Sequence, residues 1–174
     1  MSNRTYKLCC AAVCLALALL LPFLTGQMQS LGNALCPMHL PVLLCGYLCG
    51  GVWGLCVGLI APLLRFALFG MPPIYPLGLA MALELGCYGL LAGLLYKRLP
   101  KTTPMLYVSL VTAMLCGRLV WGLARYLFAG LSGSSFPFSA FLAGAVTNAI
   151  PGIALQLVLI PLLVTALQKV KKSA

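Results

Sequence analysis

Charge is almost absent between Leu8 and Gln168, and that absence confines the chain to a membrane fold. Outside one basic loop, the only charged residues in this stretch are Arg65, Glu84, Arg118 and Arg125. Of the 174 residues, 63% are hydrophobic and 7% are charged, whereas a soluble domain carries roughly 25% charged residues. A chain of this size cannot hide so much apolar surface in a core, so its solvent is lipid. The expected fold class is all-α integral membrane, with residues 1–174 forming one six-helix domain.

Six apolar spans fit, each needing about 20 residues to cross. They run over Leu8–Thr25, Met38–Gly50, Val52–Phe69, Pro76–Tyr96, Met105–Ala129 and Phe138–Gln168. The second and third are short and joined by a Gly-Gly turn, which predicts tilt or a shallow re-entrant corner. The sixth is long and holds Pro151 and Pro161, so a kink or break is expected there. The first span follows Arg4 and Lys7, as a signal peptide's apolar region does. At 18 residues it is longer than such a region and no A-x-A site follows it, so it reads as a retained helix.

The net charge of +10 does not indicate nucleic acid, because the basic residues are not gathered on one face. They sit at span ends. Arg4 and Lys7 precede span one, Lys97, Arg98 and Lys101 follow span four, and Lys169, Lys171 and Lys172 follow span six. The loops Gly26–Pro37, Gly70–Tyr75 and Leu131–Pro137 contain no lysine or arginine. By the positive-inside rule both termini are cytoplasmic. Eight of the nine cysteines lie inside or beside apolar helices, where thiols act as small hydrophobes; only Cys36 lies in an external segment. Without a paired CxxC, and with one histidine, no metal site or cofactor is expected.

A charge at the bilayer centre costs roughly 2.5–3.5 kcal/mol on insertion scales, so such residues usually face a protein interior or a watery cavity. The topology places Arg65 near the outer end of span three and Glu84 about 12 Å in from the outer end of span four. Arg125 lies near the outer end of span five, with Arg118 seven residues deeper on the same face. His39 and Asn148 enter spans two and six from outside, at the rim and near mid-depth respectively. These residues outline a cavity open to the outside, with three guanidiniums against one carboxylate. Guanidinium matches carboxylate or phosphate geometry, so an anionic ligand is the economical partner. The competing reading makes Glu84 and one arginine an interhelical strut, with Arg65 snorkelling to the rim.

Trp121, between the two arginines of span five, is placed either to stack on a ligand or to pack. Most other boundary aromatics read as an interface belt. The loop from Gly26 to Pro37 is polar and uncharged; it is a cap bearing Gln27, Gln29 and Asn33 as hydrogen-bonding groups, or a plain connector. His39 reads as a helix-end packing residue. Ala12 and Ala16 stand at small-xxx-small spacing on span one, a pattern that allows close helix approach. No Walker A motif and no acid-rich ion pathway occurs. The chain has no catalytic site of its own, and active transport would need an external ATPase.

The stretch Leu35-Cys-Pro-Met-His-Leu-Pro-Val-Leu-Leu-Cys-Gly-Tyr, then Gly54-Leu-Cys-Val-Gly-Leu-Ile-Ala-Pro-Leu-Leu-Arg65, resembles helices two and three of a known family. So does Phe69-Gly-Met-Pro-Pro-Ile-Tyr-Pro leading into Met81-Ala-Leu-Glu84. The family is that of the substrate-binding S components of energy-coupling factor (ECF) vitamin transporters, and the resemblance covers nearly the whole chain. It implies one vitamin bound on the outer side under the first loop. It also implies toppling against a shared transmembrane coupling protein driven by two cytoplasmic ATPases. The family's AxxxA docking pattern on helix one is matched by Ala12 and Ala16. Its ligand contacts fall in the first loop and the outer parts of helices four to six, where Gln29, Asn33, Glu84, Arg118, Trp121, Arg125 and Asn148 lie; Arg65 on helix three is peripheral to that pattern.

The arginine excess favours a carboxylate vitamin, and the resemblance leans toward the pantothenate branch. Folate and lipoate satisfy the same charge argument, whereas pyridoxine and riboflavin would not use it. Two rival classes remain. An intramembrane enzyme would need clustered acids, histidines or metal ligands; a non-transport assembly subunit would need no solute site.

Overall fold

The computed structural model describes residues 3–24, 35–133, 136–145 and 147–173. Among these residues there is no strand. The helices are α1 (Asn3–Leu24), α2 (His39–Cys49), α3 (Gly51–Phe69), α4 (Leu79–Arg98), α5 (Thr103–Leu131), α6 (Phe138–Ala145) and α7 (Ile150–Ser173). Among the described residues, five helical stretches are long and apolar enough to cross a membrane, and α2 is a shorter apolar helix. The protein is an all-α membrane protein. Arg4 and Lys7 of α1 and Lys97 and Arg98 of α4 mark the basic end of the bundle.

The second expected span is only half a crossing. Its 11 residues rise about 16 Å, against about 30 Å of hydrocarbon. Gly50 then turns the chain with φ of 102°, a backbone region that glycine enters at no steric cost, and α3 begins at once. The sixth span is interrupted: α6 stops at Ala145, a 3-10 turn covers Thr147–Ala149, and α7 starts at Ile150. Pro151 is the second residue of α7, where its missing N–H has no intrahelical partner to lose. Pro161, by contrast, lies inside a continuous helix, and Thr165 Oγ1 donates to its carbonyl at 2.8 Å. The sequence therefore located one break where two prolines offered it.

Helix α4 is the hub, packed against α2, α3 and α5. Its small residues make this possible. A Cβ added at Gly54 of α3 would lie 2.6 Å from the Gly89 carbonyl oxygen, and one at Gly89 would press into the backbone of Gly54. Two apolar clusters flank α4. One joins Leu43, Tyr88, Leu110, Met114, Ile160 and Val164, and the other joins Ala11, Cys14, Val42, Cys45, Val57 and Leu85. Helix α2 contributes to both, which explains how a half-length helix holds its place. Its Cys45 and Cys49 pack with Cys14 of α1 as small apolar groups.

A polar layer near the basic end fixes helix register. Tyr47 and Ser109 hydroxyls are 2.9 Å apart, the Tyr47 and Tyr96 rings meet edge-on at 5.2 Å, and Gln168 Nε2 donates to the Tyr96 hydroxyl. Helices α2, α4, α5 and α7 are thereby tied at one level. Because Gly89 meets backbone rather than a movable side chain, Gly89→Val should destabilise the bundle by about 1–3 kcal/mol. Thermal unfolding in detergent checks this; a midpoint equal to that of the unsubstituted protein would contradict the close α3–α4 approach.

Candidate functional site

The site grows from the turn that enters α2. Cys36 adopts φ of 47°, uncommon for a residue with a side chain, and its carbonyl accepts the His39 N–H at 3.0 Å. This turn makes His39 the first residue of α2 and drives it into the interior, where it is 3% exposed. There it meets Glu84, 1% exposed on α4. His39 Nε2 lies 3.2 Å from Glu84 Oε1, and Arg118 Nη1 of α5 lies 2.9 Å from the same oxygen. Arg118 also donates from Nη2 to Cys36 Sγ at 3.4 Å. One carboxylate thus joins α2, α4 and α5, and Arg118 secures the entry turn.

Tyr88, one turn along α4 from Glu84, sits edge-on to His39 with ring centroids 5.0 Å apart. Farther along α5, Trp121 stacks on Phe141 at 6.4 Å and meets Phe136 edge-on at 6.1 Å. These contacts pack Trp121 into an apolar cluster with Ala80 and Ala124. Arg125 sits seven residues beyond Arg118 on α5, about 10 Å along the axis. Its guanidinium lies 5.2 Å from the centre of the Phe136 ring, an attraction worth about 0.5–2 kcal/mol. Its Nε is buried without a hydrogen-bond partner among the described residues. An apolar depression of about 700 Å³ lies at the end of α5, lined by Phe128, Leu131, Phe136 and Pro137 among others. It has no charged residue in its walls and is distinct from the Glu84 cluster.

Arg65 is not brought to this cluster. It points from α3 to α1, donating from Nη1 to the Leu19 carbonyl at 2.8 Å. Its guanidinium lies 5.3 Å from the Phe23 ring and 5.5 Å from the Phe69 ring. It fastens the ends of α1 and α3 together. Asn148 falls in the 3-10 turn between α6 and α7; Gln29 and Asn33 lie outside the described residues. Ala12 and Ala16 are exposed on α1, while Ala11, Cys14 and Ala18 on the opposite face are buried. Among the described residues, no group of three or more His, Cys, Asp or Glu could hold a metal ion.

Three residues here are not fully legible in the sequence. His39 reads as a rim residue that packs at a helix end and Cys36 only as an external thiol, and Gln156 does not stand out. Gln156 of α7 is fully buried, and neither its amide nitrogen nor its oxygen has a partner among the described residues. It carries the same signal as the buried charges, a strongly polar group inside an apolar helix.

With this geometry in place, residues 6–164 match the family model described as "ECF transporter, substrate-specific component". The chain belongs to that family. No curated protein and no solved structure matches it. A substrate-specific component is a substrate-binding transporter subunit rather than an enzyme, and it sits in the cell membrane as a multi-pass protein. It works with a small-molecule substrate and the energy-coupling module.

The ion pair sets a test of the cluster. Glu84→Leu leaves Arg118 charged and unpaired, a loss of about 3–5 kcal/mol, while replacing both members by apolar residues is often near neutral. Thermal unfolding should therefore show the Glu84→Leu, Arg118→Met double variant more stable than the Glu84→Leu single variant. Additive losses would contradict the pairing.

Proposed function

We propose that this substrate-specific component captures a small monovalent anion, of the carboxylate-vitamin class that includes pantothenate, on the outer side of the membrane. The anion then enters the cell with the energy-coupling module. The observation that carries the reading is the unequal state of the two arginines on α5. The Nε of each is buried without a partner among the described residues, but Arg118 is committed to Glu84 at 2.9 Å, whereas Arg125 has an aromatic face beneath it in place of a carboxylate. Counting Arg118 and Arg125 against Glu84 leaves one positive charge. One carboxylate balances it. In a low-dielectric site a second negative charge would stay uncompensated, at a cost of several kcal/mol.

Each part of the cluster has a role in this reading. Arg125 anchors the carboxylate through its planar fork. Trp121 and Phe136 form the wall beside it, and the Glu84–Arg118–His39 group holds α2, α4 and α5 around the solute. Gln29 and Asn33, in the loop that precedes Cys36, serve as cap residues, and Asn148 lies at the helix break that borders the site. The basic end faces the cytoplasm in this reading, so Arg125 lies on the outer side of the cluster. Import requires docking on a transmembrane coupling protein powered by two ATPases, and the exposed Ala12 and Ala16 of α1 supply a small-residue face for it.

Thermal-shift screening of the purified protein tests the ligand class, since a ligand stabilises the folded state in proportion to its excess over Kd. Monocarboxylates should raise the unfolding midpoint and neutral pyridoxine or riboflavin should not; the reverse pattern would overturn the anion assignment. Arg125→Ala should weaken carboxylate binding roughly ten- to a hundredfold, as expected for loss of a charged hydrogen bond of about 1.5–3 kcal/mol, with folding retained. For docking, Ala12→Trp with Ala16→Trp should abolish uptake by the assembled transporter and leave solute binding intact. Uptake at the unsubstituted rate would remove α1 from the coupling surface.

A further inference from the structure

We infer that Gln156, together with Tyr88 and His39, forms a second, deeper subsite that selects an anion whose far end carries amide or hydroxyl groups. This rests on the anion reading above and extends it to the uncharged part of the solute.

Helix register places the three residues in one layer. Gln168 of α7 donates to Tyr96 of α4, and both helices run toward the basic end. Glu84 lies twelve residues before Tyr96, and Gln156 lies twelve before Gln168. Both are therefore about 18 Å along their helices from the shared contact, so Gln156 stands at the depth of Glu84. The face of α7 is fixed as well. Ile153, Leu157 and Ile160 pack in the cluster that contains Leu43 and Tyr88, and Gln156 shares their i, i+3, i+4 stripe. Gln156 is thus turned toward the cluster of α2 and α4 residues in which Tyr88 meets His39 edge-on.

Polar atoms in this layer are left without partners. Gln156 Nε2 and Oε1 and His39 Nδ1 are buried without a hydrogen-bond partner among the described residues, and the Tyr88 hydroxyl faces the Arg118 guanidinium without a hydrogen bond of good geometry. An amide offers two donors and an acceptor, and a buried polar group without a partner costs about 1–3 kcal/mol. A core selected for stability alone would hold leucine or methionine at position 156, as it does at the neighbouring contacts. The retained amide matches a solute group that both donates and accepts. A carboxylate on Arg125 and a hydrogen-bonding group at Gln156 define the two ends of the solute.

The test uses Gln156→Met, which keeps the volume and removes the amide. Four probes separate the two subsites: pantothenate, with a carboxylate and an amide-hydroxyl tail; octanoate and lipoate, with a carboxylate and an apolar tail; and panthenol, with the polar tail and no carboxylate. Calorimetric or thermal-shift titration should show pantothenate binding tighter than octanoate and lipoate. Gln156→Met should reduce that preference at least tenfold while raising the unfolding midpoint of the solute-free protein. Tyr88→Phe should act in the same direction. Unchanged pantothenate affinity in Gln156→Met, or a lower solute-free midpoint, would overturn the subsite and leave the anion reading standing. Preference for octanoate or lipoate would do the same. Panthenol binding as tightly as pantothenate, or no probe binding, would overturn the anion reading and the subsite with it.

Discussion

The site depends on one buried carboxylate. Glu84 sits on the hub helix α4 and is approached by His39 from α2 and by Arg118 from α5. Leaving any of these groups alone in an apolar interior would cost several kcal/mol, so each holds the others in place. A half-length helix such as α2 has little hydrophobic reach across a bilayer. It is held by its two apolar clusters along its length, and by His39 and the Cys36 turn at its start.

The same interaction decides what remains for a ligand. With Arg118 occupied by Glu84 and Arg65 fastened to Leu19, the three arginines are no longer equivalent. Arg65 joins two helix ends, Arg118 organises the cluster, and Arg125 faces the aromatic wall with unfilled hydrogen-bonding capacity. In the proposed reading, specificity separates into two demands at different depths, charge at Arg125 and hydrogen bonding at Gln156. Membership in the substrate-specific component family gives this division a purpose. Such a subunit has to hold its solute without chemistry, and buried polar atoms waiting for a partner are a means of doing so.

Much of the bundle is legible in the chain. Apolar runs mark the helices, Gly50 and Gly51 mark the α2–α3 corner, and Pro151 and Pro161 mark the sixth span as interrupted, the break falling just before Pro151. The shortness of α2 is legible too, because the Gly-Gly turn bounds the second span at Gly50, where the helix ends. For the site, the residue types were visible and their partners were not. Arg65 contacts a carbonyl 46 positions away and Arg118 contacts a thiol 82 positions away; such pairings follow from packing, which local sequence does not encode. His39 looked like a helix-end residue because the carboxylate it meets lies 45 positions further on. Gln156 was legible in principle, since a lone amide in an apolar helix follows the same rule as a lone charge.

The central claim is that Glu84 and Arg118 neutralise each other and leave the anion to Arg125. It is tested most directly by the pantothenate affinity of the Glu84→Leu, Arg118→Met double variant measured beside that of Arg125→Ala. The double variant loosens the frame of α2, α4 and α5 but keeps the site's net charge, so its affinity should fall by less than that of Arg125→Ala, which loses at least tenfold, about 1.4 kcal/mol. Loss of binding in the double variant with retention in Arg125→Ala would contradict the account.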